Sequence, residues 1–180
     1  MNHKPGMNIE EALEKVLDEL SDDSSPKPVV SFEKGIPTLK AGYFRPLSPM
    51  LKSRFEKLGG WEESTHGDWL DPAEMECFWE SQIVDERLNE IVQQVKAAAD
   101  HWQNDAGSLF SLHRISVFAA SRYTYERIYL VWFDETEEPE LWVYDVNGEA
   151  RYKDLLSYLE SYIKDDLSAF LNKWKLGEME

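Results

Sequence analysis

From Asn8 to Leu20 the apolar residues Ile9, Ala12, Leu13, Val16, Leu17 and Leu20 recur at helical spacing among acids, which predicts an amphipathic helix. The polar run "SDDSSPKP" predicts its end and a loop, and "VVSFEKGIPTLKAGYFRPLSP" then carries strand-like patches broken by Gly and Pro. Met50, Leu51, Phe55 and Leu58 repeat on one face, predicting a short helix from Pro49 that Gly59-Gly60 would stop, because glycine enters the left-handed conformation at little cost. Asp71, Pro72 and Glu74 form a helix-start pattern. The apolar face that follows, Met75, Phe78, Trp79, Ile83, Leu88, Ile91, Val95, Ala98 and Trp102, predicts one long helix to Gln103 or two with a break near Val84 or Asp85.

After "QNDAGS" the pattern changes to strands. "HRISVFAAS" is rich in β-branched and aromatic residues, "RIYLVWF" is apolar on both faces, and "ELWVYDV" runs into the tight-turn pair Asn147-Gly148. A continuous apolar run is what a strand covered on both faces requires. Leu155, Leu156, Leu159, Ile163, Leu167, Phe170, Leu171 and Trp174 then line one stripe, predicting a C-terminal helix that packs on the sheet, with Lys173 and Lys175 at its dipole-negative end. The expectation is a single α+β domain, a central and mostly antiparallel sheet flanked by helices. Residues 1–43 are read as a helical and irregular N-terminal extension, residues 44–180 as the domain proper.

Composition changes the picture mainly through charge. The 19 Lys plus Arg are outnumbered by 35 Asp plus Glu, a net charge of -16, on a chain whose 42% hydrophobic content demands a folded body. Such a field repels nucleic acid and anionic lipid and draws in basic proteins at salt-dependent rates. One cysteine, Cys77, excludes a disulfide framework, and no run approaches the roughly 20 apolar residues of a membrane span. The N-terminal segment has no apolar core of signal-peptide length, so a soluble cytoplasmic protein is expected.

Candidate chemistry is sparse. His3, His66, His101 and His113 offer no i, i+3 or i, i+4 pair, so no metal site is expected and His66 reads as an exposed loop residue. Cys77 lies among Glu74, Glu76 and Glu80, which disfavour a thiolate. "SRYTYERIY" interleaves aromatics with Arg122 and Arg127, a pattern that on this acidic chain reads as arginines offsetting nearby acids. No catalytic residues and no cofactor are assigned. A hydrolase of converging carboxylates, helped by Cys77 or a histidine, is the alternative, and no spacing selects its acid and base.

The densest unexplained feature is the turn between the two aromatic strands, with Asp134, Glu135, Glu137, Glu138 and Glu140 in seven residues. It reads either as a charged hairpin end that keeps the sheet soluble or as a recognition surface for a basic partner. In the second reading Trp142, Tyr144 and Tyr125 are the aromatic anchors.

The order of these elements, a helix ending in "LGGW", a later helix, then "ISVFAASRYTYERIYLVWFDETEEPELWVYDVNGEARYKDLLSYLESYI", resembles the SUKH superfamily, which includes the Smi/Knr cell-wall regulators. The likeness covers about Pro46 to Trp61 and Ile115 to Ile163. The chain departs from the family pattern in its loose "RPLSPMLKSRFEKLGG" segment, in the divergent stretch through Tyr43 and in its larger Asp71–Gln103 region. The resemblance implies a non-enzymatic binding domain, and for bacterial members an immunity protein that neutralises a cognate toxin, often a nuclease. A regulatory adaptor with an endogenous partner is the other role it implies.

Overall fold

The computed structural model describes residues 6–20, 33–102 and 105–165. Five strands form one antiparallel sheet in the order β3-β4-β5-β6-β7: Asp68–Trp69, Ile115–Ala120, Arg127–Val131, Glu140–Asp145 and Gly148–Tyr152. A second, two-stranded ladder pairs β1 (Ile36–Pro37) with β2 (Phe44–Arg45). The architecture is the expected α+β domain, with the aromatic strands β5 and β6 inside the sheet and buried throughout all but the last residue of β6.

Helices cover both faces. On one side α2 (Pro49–Lys57) brings Arg54 over Phe118, ring centroid at 4.9 Å, and α6 (Leu155–Ile163) sets Tyr158 against Tyr152 at 5.4 Å. On the other, α4 (Glu86–His101) ends at Trp102, which meets Tyr144 at 6.1 Å, and α5 (Ala106–Leu109) ends beside Phe110, which meets Trp142 at 5.0 Å. Alternate β6 side chains therefore point into two different layers, and both are apolar, which is why the strand reads as an unbroken apolar run.

The Asp71 cap is as expected: its side chain accepts from Glu74 N–H while Glu74 accepts from Asp71 N–H, opening α3 (Pro72–Met75). Of the two readings of the following helix, the broken one holds. A 3-10 turn over Glu76–Trp79 ends at Glu80, and Asp85 caps α4 anew by accepting from Leu88 N–H. Helix α2 stops differently from expectation, because Leu58 is already extended at φ -133° while its N–H still bonds the Arg54 carbonyl.

The N-terminal extension is part of the core. Helix α1 (Ile9–Leu20) buries Ala12, Leu13 and Val16, and the β1–β2 ladder, with Ile36 opposite Arg45, crosses the Tyr43/Phe44 boundary expected between extension and domain. The Leu39 N–H donates to Ile115 O, tying this segment to the main sheet. The strand-like "VVS" patch, the continuation of the last helix to Trp174, and Lys173 and Lys175 lie outside the described residues. No helix among the described residues is long and apolar enough to cross a membrane.

Candidate functional site

The acidic turn between β5 and β6 is largely committed to the fold. Asp134 pairs with Arg114 at 2.6 Å, while Arg114 also donates to the Trp132 carbonyl. Glu138 is half-buried and accepts from Met50 N–H at 2.9 Å, so it satisfies a free donor at the start of α2 alongside the Ser48 cap. Glu140 lies within β6, buried, and accepts from the Trp142 indole N–H at 3.1 Å. Only Glu135 and Glu137 project into solvent without such a task.

The aromatic anchors expected beside that turn are not available there. Trp142 and Tyr144 are buried because β6 is covered on both faces. The Tyr144 hydroxyl accepts from Ala106 N–H at 3.0 Å, and Arg151 stacks on Trp142 at 4.1 Å. Tyr125 is exposed, but it sits in the β4–β5 loop, at the opposite end of the strands from the turn. Five residues of β5 separate the two ends by about 17 Å. The turn's own end also carries cations: Lys40 and Arg45 flank the Tyr43 ring, and Arg45 donates to the His113 carbonyl. Partial burial and the charges of Arg45, Arg114 and Lys40 hold His113 below its usual pKa.

The end of the sheet that carries Tyr125 has a different character. The β4–β5 loop, the β6–β7 turn and the end of α4 enclose a groove of about 730 Å³, lined in part by Trp102, Tyr123, Tyr125, Val146, Glu126 and Asp145. Four of its lining side chains are large and exposed: Trp102 by 42%, Tyr123 by 66%, Tyr125 by 50% and Val146 by 91%. Exposed aromatics clustered in this way are enriched at protein contact surfaces in general. Neither arginine of "SRYTYER" is among its lining residues, and both are paired with acids. Arg122 pairs with Glu90 at 2.8 Å, and Arg127 is buried on Asp105, whose other oxygen caps α5 at Gly107 N–H.

Asp145 also borders a second cleft of about 420 Å³, between the β6–β7 turn and α6. His66 is not an exposed loop residue but sits at this border. Its Nε2 lies 3.2 Å from Asp145, its Nδ1 2.7 Å from the Tyr158 hydroxyl, and Tyr158 lies 2.6 Å from the Thr65 hydroxyl, which accepts from the Trp69 indole at 2.9 Å. In this chain of contacts the Tyr158 hydroxyl donates to Thr65, and the His66 ring joins Tyr158 to Asp145. Both imidazole nitrogens are engaged within the fold. The chain ties the loop before β3 to α6 and to the groove's floor.

Cys77 lies on the 3-10 turn with a thiol pKa pushed up, first by burial and then by Glu80 and Glu74, the direction the surrounding acids imply. No protein-family model matches this chain, nor does any curated protein or solved structure. The groove was only half visible in the sequence. The exposed "RYTYE" loop is a signal, but Trp102 and Val146 join it from 20 residues away on either side only through the fold.

Proposed function

We propose that this chain is a non-enzymatic cytoplasmic binding protein of the immunity type, which neutralises a basic protein toxin by direct contact. The observation that supports it is the gathering of Trp102, Tyr123, Tyr125 and Val146 into one groove on a protein of net charge -16. An aromatic contact surface on an acidic body suits a cationic macromolecule that is steered by long-range charge and held by short-range packing. In this reading the exposed acids Glu135 and Glu137 contribute to steering, and the aromatic groove contributes to holding.

The experiment is affinity capture of the full chain's partner from native-host lysate across a salt series, followed by binding kinetics. A stoichiometric basic protein, toxic when expressed alone and harmless when co-expressed, is the expected result. With that protein, E135K/E137K should lower the association rate several-fold at low salt, with little change in dissociation. No retained protein at any salt would overturn the proposal, and a non-toxic endogenous partner would replace it with the adaptor role.

A further inference from the structure

We infer that the groove between the β4–β5 loop and the β6–β7 turn is the contact site for an arginine side chain of the protein partner. The inference rests on the binding role proposed above and adds its location and chemistry.

The groove's lining contains two carboxylates, Glu126 and Asp145, and no lysine or arginine. Asp145 is occupied, one oxygen by His66 and the other by Asn147 N–H at 2.7 Å. Glu126 is in no salt bridge among the described residues, so it is the carboxylate open to an incoming cation. The aromatic walls already receive guanidinium groups. Arg122 lies over the Tyr123 ring at 5.0 Å, and buried Arg127 lies 5.9 Å from the Trp102 ring on the side turned into the protein. Arg127 is neutralised by Asp105, so it does not repel a second cation on the outer face of Trp102.

A flat, weakly hydrated guanidinium stacks on aromatic faces where a compact, strongly hydrated ammonium does so less well. Its three-carbon stem would cover apolar wall while the head reaches Glu126. The β4–β5 loop that presents Tyr123 and Tyr125 is tied by the Ser121 hydroxyl, which accepts from both Tyr123 N–H and Thr124 N–H. Preorganisation of this kind lowers the ordering cost of contact.

The test uses isotope-labelled full-length protein and three probes, N-acetyl-argininamide, its neutral isostere N-acetyl-citrullinamide, and N-acetyl-lysinamide. Saturable shifts of the Trp102 indole and of the Tyr123–Glu126 amides are expected with the arginine probe. They should be about fivefold weaker with lysine and absent with citrulline, and E126Q should weaken the arginine probe about tenfold. Equal shifts with citrulline, or equally large shifts at Glu135 and Glu137, would overturn the arginine site. With a captured toxin, Y123A/Y125A should raise the dissociation rate tenfold or more. Unchanged toxin binding with no probe shift would overturn the groove and leave the binding role standing. A saturable probe shift with no captured protein would overturn the protein partner and make the groove a site for a free guanidine compound.

Discussion

Arg54 is wholly out of solvent with one hydrogen bond, from Nη2 to the Gly59 carbonyl at 3.0 Å; its Nε and Nη1 have no partner among the described residues. Its charge lies against rings instead, Phe55 at 4.2 Å and Phe118 at 4.9 Å, and burial pulls its pKa down to about 9 despite Asp71 and Glu74 nearby. It is still charged at neutral pH, so folding carries the cost of drying a cation that no carboxylate directly bonds. Arg54→Met keeps most of the volume and removes that cost, at the loss of one hydrogen bond of about 1 kcal/mol. Denaturant unfolding should find it as stable as the parent or up to about 3 kcal/mol more so, whereas Arg54→Ala should lose about 2–4 kcal/mol to the cavity. A loss above about 1 kcal/mol in the methionine variant would mean that the ring contacts outweigh desolvation.

At the scale of elements, the loop before β3 is where a single backbone position controls distant geometry. Gly67 has φ +96°, and a Cβ there would collide with the backbone of Ala120 and Ser121, the end of β4 and the start of the groove loop. Gly67→Ala should therefore cost about 2–3 kcal/mol from strain and displacement together. It should also shift the amides of Tyr123 to Glu126, since Ser121 anchors them; an unperturbed groove in that variant would show that the loop is held from elsewhere. What was legible in the sequence at this scale is what neighbours in the chain decide. The Asp71 capping box and the aromatic strands are local patterns and stand where expected, and the break before α4 is one of the two readings the pattern leaves open. Strand β3 is not legible in the sequence because it has two residues and forms by pairing Asp68 with Ala120 and Trp69 with Ala119, about fifty positions on. The β6–β7 turn was signalled by Asn147-Gly148, yet Gly148 pairs with Asp145, so the loop is Val146-Asn147 and Gly148 opens β7. The contacts of Glu138 and His66 are not legible for a related reason: their partners Met50 and Tyr158 are 88 and 92 residues away, and no local pattern reports such contacts.

The whole molecule carries a charge of -16, and two of its half-buried acids make that charge a matter of stability. Burial pushes Glu74 above the usual carboxylate pKa, with Asp71 adding to it, and burial does the same to Glu138. A carboxyl whose folded pKa is raised takes up protons on folding. Its contribution is full below its unfolded value of 4.5 and is lost as pH rises through the folded value. Mutual repulsion among surface acids acts in the same direction. His113 opposes both, since its lowered pKa makes the folded form the poorer proton acceptor, but it is only partly buried and its effect is screened. The sum predicts that chemical-denaturant stability falls as pH rises from 4.5 toward 8 in low salt, and that half-molar salt recovers more at pH 8 than at pH 4.5. A second loss is expected above pH 10, where Tyr158 and Tyr144, both held protonated by burial, ionise only in the unfolded chain. Stability that instead rose over this range would mean that His113, whose folded form releases its proton more readily, outweighs the two raised carboxyls. The same experiment repeated with a bound basic partner should flatten the pH and salt dependence, because the partner supplies the opposite charge that protons and salt supply to the free protein.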